Sequence, residues 1–180
     1  ATVGGTRFDD HIEQNQSADF LRTVRHSVDG QFDWRATARH TLAAGAMFAS
    51  EEASSASYGE RMRADTDTLN LFAQDQFASG AHRALLALGY TDHETAGDAT
   101  TWNLEYGYTL AGGTLLYGLA GTGFRAPDAT DRYGFGGNPD LDPEESTSYE
   151  IAWRQALGER QSVTLAAFRN EQAIGEGTSG

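Results

Sequence analysis

The chain has 180 residues, with 13 Lys and Arg against 26 Asp and Glu for a formal charge of −13, 39% hydrophobic residues, 21 Gly and no Cys. That charge argues against binding a phosphate backbone and would suit a cationic ligand or a divalent metal, although a solvated acidic surface accounts for it more simply. No apolar run approaches the ~18 residues of a membrane helix, which excludes a helical membrane protein, and without Cys there is neither a disulfide framework nor a thiolate metal site.

Residues 1–17 carry no clear period and are expected to form a loop or an incomplete strand; Ala1-Thr2-Val3-Gly4-Gly5 has none of the marks of a signal peptide. From Asp19 to Trp34 the even positions Phe20, Val24, Val28, Phe32 and Trp34 alternate with Leu21, Thr23, Ser27, Asp29, Gln31 and Asp33. A period of two puts successive side chains on opposite faces of a strand. His40 to Ser50 alternates again, more weakly. Glu51 to Asp65 is polar without period and is expected to be a long loop. Strand pattern resumes at Thr66 and runs to Phe77, turns at Ser79-Gly80-Ala81, and returns through Ala84, Leu86, Leu88 and Tyr90.

A second polar excursion, Thr91 to Thr100, precedes the clearest hairpin. Trp102, Leu104, Tyr106 and Tyr108 form its first arm, Ala111-Gly112-Gly113 its turn, and Leu115, Tyr117 and Leu119 the expected apolar face of its second arm. Beyond a long Pro- and Gly-rich stretch, Tyr149, Ile151 and Trp153 alternate, and after Leu157-Gly158-Glu159-Arg160 so do Val163, Leu165 and Ala167. Residues 172–180 are expected to be a flexible tail.

Eight expected strands over residues 18–171, joined alternately by short turns and long polar loops, describe an antiparallel transmembrane β-barrel: short periplasmic turns, long extracellular loops, aromatics near strand ends at Phe20, Trp34, Phe48, Phe77, Tyr90, Trp102 and Tyr108. The apolar series would face lipid. The opposite series, with Thr101, Asn103, Gly107, Thr114, Gly118, Ser162 and Thr164, is too small to fill an eight-stranded barrel and suits the wall of a wider one.

All three prolines lie in one stretch: Gly123-Phe124-Arg125-Ala126-Pro127, then Tyr133-Gly134-Phe135-Gly136-Gly137-Asn138-Pro139-Asp140-Leu141-Asp142-Pro143-Glu144, followed by Ser146 and Glu150. It resembles the F-[KR]-A-P…G-N-P-x-L-x-P-E-x-S-x-x-x-E signature of TonB-dependent outer-membrane receptors, and is most similar to the cobalamin-receptor branch. The resemblance implies a segment of a barrel of about 22 strands around a plug. It further implies ligand capture by loops and plug, import driven by the TonB complex through a plug outside these residues, and contact with the lipid bilayer and lipopolysaccharide in the cell outer membrane. Nucleic acid is not an expected partner.

Candidate ligand contacts are Arg132, Tyr133, Phe135 and Asn138, with pinning of the loop to the rim as the simpler role for the aromatics, and pairing with acidic residues as the simpler role for Arg125 and Arg132. Asp140, Asp142 and Glu144 are candidate calcium ligands, although Asp128, Asp131 and these three are explained as readily by capping of turns. The five His are scattered, no nucleophile elbow occurs, and no enzymatic activity is expected. Siderophore and saccharide receptors remain alternatives for the ligand. A self-contained eight-stranded adhesin or structural barrel, and a receptor-derived β assembly or filament, remain alternatives for the whole.

Overall fold

A computed structural model describes residues 1–13, 19–57, 59–133, 136–158 and 161–173. They form a single antiparallel sheet of nine strands in chain order. The strands are β1 (Thr2–Glu13), β2 (Phe20–Arg35), β3 (His40–Ser57), β4 (Glu60–Ser79), β5 (His82–His93), β6 (Gly97–Thr109), β7 (Thr114–Arg125), β8 (Glu144–Ala156) and β9 (Ser162–Ala173), with a short helix, α1 (Ala129–Tyr133), between β7 and β8. β1 and β9 are the edges.

Several sequence expectations need correction. Residues 2–13 are a full strand, paired from Thr2↔Gln31 to Glu13↔Phe20. The polar stretch Glu51 to Asp65 is no loop: β3 and β4 stay paired to Ser57↔Glu60, so this projection is an extended hairpin. The excursion expected at Thr91 to Thr100 shrinks to a tight turn, since His93 pairs with Gly97. Alternation fades in these segments because both faces meet water there, yet backbone pairing continues. Of the tail expected at 172–180, Gln172 and Ala173 belong to β9, and the rest lies outside the described residues.

A further correction concerns the phase of β7. Tyr108 lies opposite Leu116 and Tyr106 opposite Gly118, so the even residues of β7 continue the apolar face. Leu115, Tyr117 and Leu119 therefore point to the polar side, and Thr114 and Gly118, expected on that side, point away from it. The hairpin turn fixes this register, with the Leu110 amide donating to the Thr114 carbonyl at 2.7 Å. Tyr117 accordingly donates its hydroxyl to Glu150 at 3.1 Å on the polar face.

Among the described residues no large side chain is fully buried, and the buried hydrophobic residues are Ala43, Ala49, Ala53 and Ala152. A soluble sheet of this size would hide its aromatic and branched residues. Here Phe32, Trp34, Leu86, Leu88, Leu104, Ile151 and Leu165 are all exposed on one face. Contiguous apolar surface of that extent belongs against another apolar phase, and the strand lengths suit a bilayer. Trp34, Phe77, Tyr106, Tyr108 and Trp153 ring the turn end of this face, and Phe48, Tyr90 and Trp102 ring the loop end. Phe20 is not part of either ring, because it pairs with Ala56, well past Phe48.

Candidate functional site

The chain between β7 and β8 folds back over the polar face at the loop end. Its local order comes from its own side chains. Asp128 Oδ1 accepts the Thr130 and Asp131 amides, both at 2.8 Å, while Asp131 Oδ2 accepts the Asp128 amide at 3.2 Å. This reciprocal cap satisfies the free amides that start α1. Asn138 Oδ1 accepts the Asp140 amide at 3.0 Å, and the Asn138 amide reaches back to the Asp131 carbonyl at 3.0 Å. Gly137 is pressed against α1: a Cβ there would come within 2.9 Å of the Arg132 carbonyl carbon and oxygen.

Arg132 locks this shape to the sheet. Its Nε donates to the Pro139 carbonyl at 3.0 Å, Nη2 donates to the same oxygen, and Nη1 donates to the Thr95 carbonyl in the β5–β6 turn. Its charge meets no carboxylate at ion-pair distance among the described residues. The expected acidic pairing is instead made by Arg125, which lies 3.4 Å from Glu144 and 3.8 Å from Asp131.

Beneath the loop is a polar cavity of about 400 Å³. The sheet contributes Arg25, Glu51, Asn70, Thr91, His93 and, at the end of β7, Phe124; the loop contributes Asp128, Arg132 and Tyr133. Arg25 and Glu51 are directly opposed across β2 and β3. Thr91 donates to Asn70 at 2.7 Å. His93 lies beyond the Tyr90 level, its Nδ1 accepting the amides of Thr95 at 3.4 Å and Ala96 at 3.2 Å. That leaves the neutral ring as the Nε2–H tautomer. Burial, then the nearby Arg132 charge, hold its pKa below the usual histidine value, with Glu51 and Glu94 partly opposing.

Of the candidate ligand contacts, Arg132 and Tyr133 meet at the cavity, the guanidinium carbon 5.9 Å from the ring centroid. Asn138 is occupied by the loop's own turn, and Phe135 lies outside the described residues. Asp140, Asp142 and Glu144 are not gathered: no group of three or more His, Asp or Glu able to hold a metal occurs among the described residues. Glu144 is engaged by Arg125 and by Gln172 Nε2 at 3.0 Å. Arg25, Asn70, Thr91 and His93 were missed in the sequence. Their odd or even positions mark them as polar-face residues, but only the strand registers bring these residues of β2, β4 and β5 to one cavity.

Known proteins share this architecture. Residues 2–173 match the family described as TonB dependent receptor-like, beta-barrel. The chain is 31% identical over 154 residues to the vitamin B12 transporter BtuB of Vibrio vulnificus, covering 84% of this chain and 25% of that protein. It is 42% identical over 62 residues to the vitamin B12 transporter BtuB of Photobacterium profundum, covering 34% of this chain and 10% of that one. Among solved structures, the siderophore receptor PirA from Pseudomonas aeruginosa aligns with a TM-score of 0.75 at 20% identity, covering 88% of this chain and 33% of that receptor. The chain thus spans a quarter of the length of the Vibrio vulnificus transporter and a third of that of PirA.

Proposed function

The chain belongs to the TonB-dependent receptor-like β-barrel family, and on that footing we propose that it forms part of the wall and extracellular mouth of an outer-membrane importer of cobalamin. The observation that carries this reading is the amphipathic sheet with two unpaired edges, β1 and β9, and a polar cavity at its loop end. A sheet edge exposes unpaired backbone groups that lipid cannot satisfy, so within a bilayer β1 and β9 each need a partner strand. This favours a wider barrel over a self-contained eight-stranded one.

The chemistry of the cavity fits the ligand. Cobalamin carries carboxamide arms and a phosphodiester; Thr91 and Asn70 offer hydroxyl and amide partners, and Arg25 a cation. Sequence similarity to two vitamin B12 transporters supports cobalamin over a siderophore, since the likeness to PirA speaks to the fold alone. Bound ligand would be passed inward by a plug moved by the TonB complex. Radiolabelled cyanocobalamin binding to outer membranes holding the full-length protein tests the proposal. Nanomolar, saturable binding unaffected by excess ferric siderophore is expected. Binding of ferric siderophore with none of cobalamin would refute it.

A further inference from the structure

Two N–H donors of the cavity are fixed by hydrogen bonds made behind them. His93 of β5 and Asn70 of β4 line the same polar wall. Thr68 pairs with His93 and Asn70 with Thr91, so the two are diagonal neighbours with backbones about 7–8 Å apart. The His93 ring is held through Nδ1, which accepts the Thr95 and Ala96 amides and lies 3.3 Å from the Thr95 hydroxyl. Its donor is therefore Nε2–H, on the edge of the ring away from the turn. Burial and the Arg132 charge favour the neutral ring.

The Asn70 amide is oriented in the same manner. Thr91 donates its hydroxyl to Asn70 Oδ1 at 2.7 Å, which leaves the Nδ2 hydrogens as the free side of the amide. Neither His93 Nε2–H nor Asn70 Nδ2–H has a partner among the described residues. The other groups at this level set no such preference. Thr66 and Thr68 carry hydroxyls that donate or accept alike, and Arg132 is taken up by the Pro139 and Thr95 carbonyls. A pair of neutral donors suits acceptors that bring no charge. A ligand group offering N–H or O–H in their place would leave both donors unpaired, a loss larger than the bonds themselves.

We propose that His93 and Asn70 are specificity-determining residues of the cavity, reading two uncharged carbonyl oxygens on the carboxamide arms of one ligand, and that Thr91 positions Asn70. The inference rests on the cobalamin reading and assigns separate parts of the ligand within it: the phosphodiester to Arg25, the arms to the two N–H donors. Loss of an arm-reading donor is therefore felt by a corrinoid with those arms whether or not it carries a phosphate.

The test uses outer membranes holding the full-length receptor and two radiolabelled probes. One is cyanocobalamin; the other is dicyanocobinamide, which keeps carboxamide arms and lacks the phosphodiester and base. His93→Asn removes the ring donor, while the new Oδ1 can still accept the amides two and three residues on and so keep the turn. It is expected to weaken both probes about tenfold, with amide exchange across residues 126–143 as in unsubstituted protein. Thr91→Val is expected to weaken both about fivefold, and Thr91→Ser, which restores the hydroxyl, to recover them. Unchanged affinity for both probes in His93→Asn, a loss confined to cyanocobalamin, or a loss accompanied by faster exchange across the loop overturns the role of His93. Failure of Thr91→Ser to recover what Thr91→Val loses overturns that of Thr91 and Asn70. Unsubstituted protein that binds cyanocobalamin and not dicyanocobinamide overturns arm reading while leaving the cobalamin reading intact; binding of neither probe overturns both.

Discussion

Arg132 and Thr95 are joined across two separate projections, the guanidinium Nη1 donating to a backbone carbonyl in the β5–β6 turn. The same guanidinium holds the Pro139 carbonyl, so one side chain fastens α1, the following turn and the sheet. Arg132→Lys keeps the charge but loses the fork. Both it and Arg132→Ala are expected to open the loop about tenfold more often, a loss of about 1.5 kcal/mol, read as faster amide exchange across residues 126–143.

Protonation should loosen the same contact. The pKa of His93 is depressed, so the folded state disfavours its charged form. Stability from the neutral ring is fully present above the ordinary pKa of about 6.5 and falls as pH drops below it, because the unfolded turn takes up the proton first. Protonated Nδ1 can no longer accept the Thr95 and Ala96 amides, and the new charge faces Arg132. Loop protection in amide exchange is expected to be lower at about pH 5 than at about pH 8, and His93→Gln to flatten that difference.

Arg25 should matter for binding and not for folding. It lines the cavity opposite Glu51 and touches none of the loop's own hydrogen bonds. Arg25→Ala in the full-length protein is expected to weaken cyanocobalamin binding about tenfold, with unchanged heat-modifiable migration, if the cation meets the ligand phosphate.

The two faces of the wall should respond oppositely to charge. Leu88 points to lipid between Ala73 and Trp102, whereas Ala87 points inward between Gln74 and Asn103. Leu88→Arg is expected to destabilise the barrel by about 2–4 kcal/mol and Ala87→Arg by far less, measured by urea-dependent folding into vesicles.

Gly45 supports the inner wall by having no side chain. Phe72 lies over it, and an added Cβ would come within 2.5 Å of the ring and 2.7 Å of the Gly30 carbonyl oxygen on the neighbouring strand. Gly45→Ala is therefore expected to cost about 1–3 kcal/mol in the same folding measurement.

Much of this architecture is legible in the sequence wherever one face meets lipid. Phe32 and Trp34, or Leu86 and Leu88, stand out because their neighbours are polar. β7 misleads because Leu115, Leu116, Tyr117 and Leu119 are apolar on both faces, while the outward-facing positions hold Gly118 and Ala120; bulk points inward there, and only the turn reveals the phase. β3 beyond Ser50 misleads for the opposite reason, both faces being polar. The capping roles of Asp128 and Asp131 are legible as those of acidic residues at a turn, whereas Asn138, expected against the ligand, holds the Asp140 amide instead. The cavity is not legible, because Arg25, Asn70 and His93 meet only through the registers of three successive pairings, β2–β3, β3–β4 and β4–β5, which alternation alone does not set.

Every strand of the sheet is bonded to its neighbours in sequence, without a crossover. The contact order of the wall is therefore low, and its assembly can proceed as a zipper of successive hairpins, each losing only the closure entropy of a short connection. The one long closure among the described residues is the β7–β8 connection, and its capped helix and Arg132 clasp reduce the freedom that must be lost there. The dominant long-range step is left to the seam where the ends of the complete barrel meet.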